Sequence, residues 1–189
     1  MTKEEVFVKY KELFDYAEIG KNLEEIVDLD TFMASPAAPS ADSGLANEGD
    51  LMRHIVMINY YAKNIASIYK TIYEVNLKSL VKVIVLHQLG KVGMFVPNTD
   101  EWQVKKLGKV YIFAETNVCL RTGERSKMMC GNAGVTFTEE EYEAMSILDK
   151  NAEEYENCAR FRSHLSTIVR MANDLANTIA RERYKNSIK

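Results

Sequence analysis

Two of the three histidines in the chain lie where a divalent metal site could be built. His54 lies one turn into a segment with an apolar stripe, and His87 follows the apolar run at residues 83–86. Imidazoles and carboxylates from separate helices can converge on a divalent cation inside a helical bundle. Such a cation polarises a substrate oxygen and lowers the pKa of bound water, so that hydroxide forms near neutral pH. The chemistry this would serve is metal-dependent hydrolysis.

Short motifs surround these histidines and continue beyond them. In chain order they are ASPAA at 34–38, EGDLMRH at 48–54, VIVLHQLGK at 83–91, GERS at 123–126, FTEEEYEAM at 137–145 and VRMANDLA at 169–176. Over roughly residues 31–183, this ordered set resembles the HD superfamily of metal-dependent phosphohydrolases, in its phage- and prophage-type branch. The resemblance implies a helical fold with a metal centre that acts on a nucleotide or a phosphomonoester.

The resemblance also assigns the metal ligands, and several of them are changed here. His54 and His87 match the first two family ligands, but the Asp of the family's His-Asp pair is Gln88 in this chain. The other altered family positions are Thr122, Leu148 and Asn173. Asp174 follows Asn173 by one residue, about 100° around a helix. We expect it to serve as the third metal ligand only if the register shifts.

Each of these changes removes a charge or a ligand, which favours a catalytically silent protein over an enzyme. Loss of anionic ligands should weaken metal binding more than the 10–100-fold that outer-shell changes cost. Amides keep the shape and the hydrogen bonding of the acids that they replace. We therefore expect no cofactor, and a residual pocket that binds a nucleotide or phosphate ligand. The alternative is a weak hydrolase that still holds Mn, Fe, Mg or Ni, and a third reading is a scaffold used only for interactions.

Three residues near the motifs are candidates for binding such a ligand. Lys91 falls where the family has a phosphate-facing cation, and Glu124 with Arg125 could support the site, although ordinary surface roles stay open for all three. Asp149 is either a polar residue of the pocket or a solvated helix end. His164 has no ligand partner at spacing three or four, so we expect it to be structural or exposed.

Apolar spacing and capping residues predict the elements that must position these side chains. Helices are predicted at 3–17, 23–29, 50–68, 77–89, 123–130, 138–148 and 163–184, with Asp50 and Thr138 as N-caps. Residues 35–49 form a loop, and residues 102–114 permit either helix or extended chain. The predicted fold is an all-α, single-domain bundle of the HD type with six or seven helices. An N-terminal helical segment (1–30) packs on an HD-like domain (31–185), and a tail follows (186–189).

Composition limits the classes of partner. The 189 residues carry a net charge of only −3, so no broad cationic field supports nucleic-acid binding. No apolar run is long enough to cross a membrane, and the acidic N-terminus is unlike a signal peptide. The three cysteines, Cys119, Cys130 and Cys158, are odd in number and lack a CxxC pair. We expect them to be buried small hydrophobic residues in a cytoplasmic protein.

Overall fold

The computed structural model describes residues 1–116, 118–160 and 162–188. This part of the chain contains nine α-helices and two short strands, which confirms the all-α prediction. The helices are α1 (Lys3–Tyr16), α2 (Leu29–Ala34), α3 (Asp50–Tyr69), α4 (Leu77–Leu86), α5 (Glu101–Leu107), α6 (Thr122–Asn132), α7 (Glu139–Met145), α8 (Ala152–Asn157) and α9 (His164–Ser187). The strands are β1 (Phe95–Pro97) and β2 (Tyr111–Phe113).

The helix count exceeds the predicted six or seven because the apolar periodicity did not predict three short helices. Helices α2, α5 and α8 have six, seven and six residues, too few to show a repeating apolar stripe. Each begins at a side chain that caps backbone amides, Asp28, Asp100 and Asn151 respectively. The predicted piece at 23–29 is instead a 3-10 turn followed by α2.

Helices α3, α4 and α9 form the centre of the bundle. Helix α4 is buried along most of its length, and α3 packs along α9. Helix α1 packs on both α3 and α4 through Val6, Tyr10 and Phe14. The Tyr10 hydroxyl donates a hydrogen bond of 2.8 Å to the carbonyl of Val85. The N-terminal segment therefore shares one hydrophobic core with the rest of the chain.

Capping residues set several helix starts. The Thr138 side chain accepts from the Glu141 amide while Glu141 accepts from the Thr138 amide, which confirms the predicted capping box of α7. The prediction that Asp50 caps α3 is wrong. Gly49 occupies the N-cap in a left-handed conformation, because the Asp50 carboxylate already accepts from the backbone and side chain of Asn47.

The segment 35–49 is anchored at several points rather than structureless. It contains a 3-10 turn at Ala41–Ser43, and its backbone pairs with the chain between α5 and β2. The Ala41 amide donates to the carbonyl of Gly108, and the Tyr111 amide donates to that of Pro39. The ambiguous stretch 102–114 is thus both helix and strand, since α5 precedes β2, which pairs antiparallel with β1.

The cysteines and the C-terminal residues agree with the predictions only in part. Cys130 is buried as predicted, but Cys119 is exposed and Cys158 only half-buried, because both lie outside the packed centre of the bundle. Helix α9 continues through Ser187, so the expected tail at 186–189 begins as helix, and Lys189 lies outside the described residues. Among the helices described here, none is both long enough and apolar enough to cross a bilayer.

Candidate functional site

A buried cluster of uncharged polar side chains lies where α3, α4 and α9 meet. We call His54, His87, Gln88 and Asn173 the polar cluster. The Asn173 side-chain oxygen lies 3.3 Å from His54 Nε2 and accepts a hydrogen bond of 3.1 Å from Gln88 Nε2. All four side chains are buried. The fold therefore brings together residues that are 119 and 85 positions apart in the chain.

Hydrogen bonding fixes the tautomers of both histidines. His87 lies at the C-terminal end of α4, and its Nδ1 is 2.9 Å from the carbonyl oxygen of Ile84 and 3.1 Å from that of Val83. Because a carbonyl can only accept, His87 Nδ1 carries the proton and Nε2 presents a lone pair. His54 must likewise donate through Nε2 to the Asn173 oxygen. Its Nδ1 is then an acceptor.

Three acceptor atoms of the polar cluster have no hydrogen-bond partner within the described part of the chain. They are His54 Nδ1, His87 Nε2 and Gln88 Oε1, all inaccessible from the surface. Leaving a buried acceptor unpaired costs about 1–3 kcal/mol. The polar cluster therefore keeps hydrogen-bonding capacity that the described residues do not use.

Burial keeps both imidazoles neutral. Removal from water, reinforced by the nearby Lys91 ammonium, lowers the pKa of His54 to about 3, while its hydrogen bond with Asn173 opposes the shift. Burial lowers the pKa of His87 to about 4, against the raising effect of its backbone contacts. The polar cluster therefore carries no charge at neutral pH.

Lys91 is the cation of the site. It lies in the 3-10 turn that follows His87, and its ammonium donates a 2.9 Å hydrogen bond to the carbonyl of Ala37. Burial lowers the pKa of Lys91 to about 8, and the Asp149 carboxylate opposes the shift. At pH 7 the side chain is still mostly protonated. Lys91 forms no ion pair with the residues that the structure describes, so its charge is only partly compensated.

The turn that carries Gln88 and Lys91 is held against α6. Ser126 Oγ contacts the carbonyl of His87 at 2.9 Å and accepts from the Gly90 amide at 2.7 Å, while Arg125 Nη1 donates to the Gly90 carbonyl at 2.8 Å. A side chain at Gly90 would overlap the carbonyl of Thr122. Helix α6 thus determines the position of the Lys91 turn.

Asp149 is hydrogen-bonded to the start of α6 and is not a solvated helix end. Its Oδ2 accepts a 2.8 Å hydrogen bond from the Gly123 amide. Burial raises the pKa of Asp149, and the hydrogen bonds from the amides of Gly123 and Glu124 oppose this. The carboxylate therefore lies near the site without joining the polar cluster.

Other residues singled out in the sequence lie away from the polar cluster. Asp174 is 62% exposed and pairs with Arg170 at 3.5 Å, so the structure brings Asn173, and not Asp174, to the histidines. Glu124 is exposed and accepts from the Arg121 amide at the start of α6. His164 is exposed and stacks on Tyr73 at 4.3 Å. Thr122 begins α6, and Leu148 lies half-buried in a 3-10 turn.

The donor atoms present do not fit a divalent metal. The described residues contain no group of three or more His, Cys, Asp or Glu side chains that could ligate one ion. The two acids of the family pattern are amides here, and a lysine ammonium close enough to lower the pKa of both histidines would also repel a cation. An anion suits this electrostatic environment better.

Two contacts of the site could not be predicted from the sequence. The Ala37 carbonyl that receives Lys91 lies 54 positions earlier in the chain. Ser126 lies in the GERS motif, but its contact with Gly90 depends on the packing of α6.

Comparisons with known proteins identify no relative of this chain. No protein-family model, curated protein or solved structure matches the chain.

Proposed function

We propose that this chain is a catalytically silent protein of the HD type that binds a phosphate-containing ligand, such as a nucleotide, beside Lys91. The observation that carries the proposal is that a half-buried, incompletely compensated ammonium lies beside an uncharged polar cluster. A phosphate supplies the negative charge that compensates the Lys91 ammonium. The unpaired acceptors of the polar cluster are inaccessible from the surface, so the contact with Lys91 carries the binding.

The proposed lack of catalysis follows from the neutral amides. Activation of water for attack on phosphorus needs a metal or a general base with a pKa near the working pH. Gln88 and Asn173 cannot take a proton, and the pKa values of the two histidines lie well below neutrality. Lys91, whose pKa is about 8, is mostly protonated at pH 7 and therefore acts there as a cation and not as a base. A ligand bound here would be held without being hydrolysed, which suits a regulatory or sensing role.

The alternative of a weak metal-dependent hydrolase needs a carboxylate next to His54 and His87. Asp174 was the candidate, and its side chain points to solvent in an ion pair with Arg170. No observation in the described residues therefore favours the alternative.

Isothermal titration of inorganic phosphate and of nucleoside monophosphates tests the proposal. We expect saturable binding that is reduced at least about tenfold by Lys91→Met, because hydrogen bonds to charged groups contribute about 1.5–3 kcal/mol. Lys106→Met, at an exposed position on α5, is the matched control and should leave binding unchanged. Binding to wild type should also weaken above pH 8, where Lys91 loses its proton. Equal binding by Lys91→Met and wild type would exclude this site.

Two further measurements address catalysis. Elemental analysis of the native protein should find no stoichiometric transition metal, and incubation of nucleotides with Mn²⁺ should release no phosphate. A metal bound through His54 and His87, or turnover abolished by His87→Ala, would overturn the proposal in favour of the hydrolase.

A further inference from the structure

A groove of about 1050 Å³ lies over the first three turns of α3, between α1 and the last turns of α9. The residues of α3 that line it run from Asp50 to Tyr61, a length of about 17 Å at 1.5 Å per residue. Its volume is at the upper end of the roughly 300–1,000 Å³ that is usual for small-molecule sites. Of the polar cluster, only His54 lines this groove.

The groove concentrates positive charge in a chain whose net charge is −3. Lys9, Arg53 and Arg183 line it, and among the described residues Asp50 is the one acidic side chain in the lining. Asp50 is already paired with Arg53 at 3.3 Å. Within residues 1–116, 118–160 and 162–188, no carboxylate forms an ion pair with Lys9 or Arg183. Two cations therefore remain available in the groove for an anionic ligand.

Aromatic rings lie beside these cations. Tyr60, Tyr61 and Tyr184 all line the groove. Tyr60 is 64% exposed, and its ring meets that of Tyr61 edge-on, with 5.2 Å between centroids. The apolar side chains of Val56 and Met57 also line the groove. The exposed ring of Tyr60 therefore offers an aromatic face on which another ring can stack.

From the cations, the rings and the volume together, we infer that this groove is a second ligand site, which takes a small organic anion carrying a planar aromatic ring. The ring stacks on the tyrosines, and the anionic group is attracted by Arg183 and Lys9. This site is distinct from the one proposed at Lys91, because the two share no cation, and His54 is the one residue of the polar cluster that also lines the groove.

A pair of fluorescent probes tests the inference on the full-length chain. The probes are 8-anilinonaphthalene-1-sulfonate, an aromatic anion, and N-phenyl-1-naphthylamine, which lacks the sulfonate. We expect saturable binding of one anionic probe per chain, at least about fivefold tighter than that of the neutral probe. Binding of the anion should weaken as NaCl is raised, because exposed charges are screened by salt.

Charge reversal at matched positions of α9 locates the site. Arg183→Glu should weaken binding of the anionic probe at least about fivefold, whereas Arg181→Glu, on the same helix but outside the groove, should not. Tyr60→Ala should weaken binding of both probes. Lys91→Met should leave probe binding unchanged, and Arg183→Glu should leave phosphate binding at Lys91 unchanged, so the two sites can fail independently.

Two results would overturn the inference. One is equal binding of the anionic probe by the Arg181→Glu and Arg183→Glu proteins. Circular dichroism is the control that both variants are folded. The other is displacement of the probe by a short single-stranded oligonucleotide that binds more tightly than the probe through Arg183. That result would make the groove a nucleic-acid surface.

Discussion

Gln88 and Asn173 are 85 positions apart in the chain, and a hydrogen bond of 3.1 Å joins their side-chain amides in the buried centre of the bundle. Two carboxylates at these positions would repel each other unless a cation lay between them. Two amides need no cation, because one donates to the other. The pair of amides can therefore hold the turn that follows α4 against α9 without a metal ion.

Restoring both acids should recreate a cation site. We expect Gln88→Asp with Asn173→Asp to raise the affinity for Zn²⁺ or Mn²⁺ at least about tenfold over wild type. The apo form should lose stability, because two desolvated carboxylates then lie side by side. Titration calorimetry and melting with and without metal measure both effects. Asn132→Asp with Asn186→Asp adds the same charge at exposed positions. Equal metal affinity in the two double variants would contradict the prediction.

The buried histidines should make the fold sensitive to acid. Their folded pKa values, about 3 and about 4, lie below the usual 6.5, so the unfolded chain takes up protons first as the pH falls. Their full contribution to stability is present above pH 6.5. It decreases by about 1.4 kcal/mol per pH unit for each histidine, down to about pH 4 for His87 and about pH 3 for His54.

Urea unfolding between pH 7 and pH 4.5 measures this dependence. His87→Gln keeps a polar side chain that cannot titrate. Its unfolding should therefore take up one proton fewer than that of wild type, and its free energy of unfolding should decrease less steeply as the pH falls. Parallel curves for the two proteins would show that His87 is protonated in the native state.

The ion pair between Lys82 and Glu141 should contribute to stability because it is shielded from water. The Lys82 ammonium lies 2.7 Å from the Glu141 carboxylate and also donates to the carbonyl of Thr136. Lys82→Met leaves the buried carboxylate uncompensated and should cost about 3 kcal/mol in the free energy of unfolding. Adding Glu141→Gln to this variant should recover most of the loss. If the double variant is less stable than Lys82→Met, the pair is not the source of the cost.

Gly90 and Gly131 provide a matched pair of glycine substitutions. Gly90→Ala should lower the free energy of unfolding by about 3 kcal/mol, because the added methyl group meets the Thr122 carbonyl and the Ser126 hydroxyl. Gly131→Ala meets nothing within 4 Å and should stabilise α6 by up to about 1 kcal/mol. Chemical denaturation of both variants measures the contrast. Equal stability of the two would show that the turn can move away from α6.

The sequence predicts the long helices of the bundle but not the contacts that assemble the site. Helix α3 appears in the sequence as a repeating apolar stripe, and α9 does too, because many residues on one face of each are buried. Motif order also predicts that His54 and His87 belong together, and the tautomer of each follows only from the structure. Which of Asn173 and Asp174 faces inward depends on the rotation of α9, which one residue changes by about 100°.

The groove was not predicted because its residues come from distant parts of the chain. Lys9, Arg53 and Arg183 lie in three different helices, so no single run of basic residues marks the groove in the sequence. The net charge of −3 indicated only that the chain has no broad cationic field. A whole-chain sum cannot reveal a local excess of charge that folding creates.

The segment from Ala37 to Gly44 is attached at four places within eight residues. One is the hydrogen bond from the Ala41 amide to the carbonyl of Gly108. The Ala37 carbonyl receives Lys91, the Pro39 carbonyl receives the Tyr111 amide, and Gly44 abuts the backbone of Ala180 too closely for any side chain. Surface loops usually tolerate insertions and deletions. Here a change of one residue in length would shift at least one attachment out of register, so this segment should keep a fixed length in any functional variant of the protein.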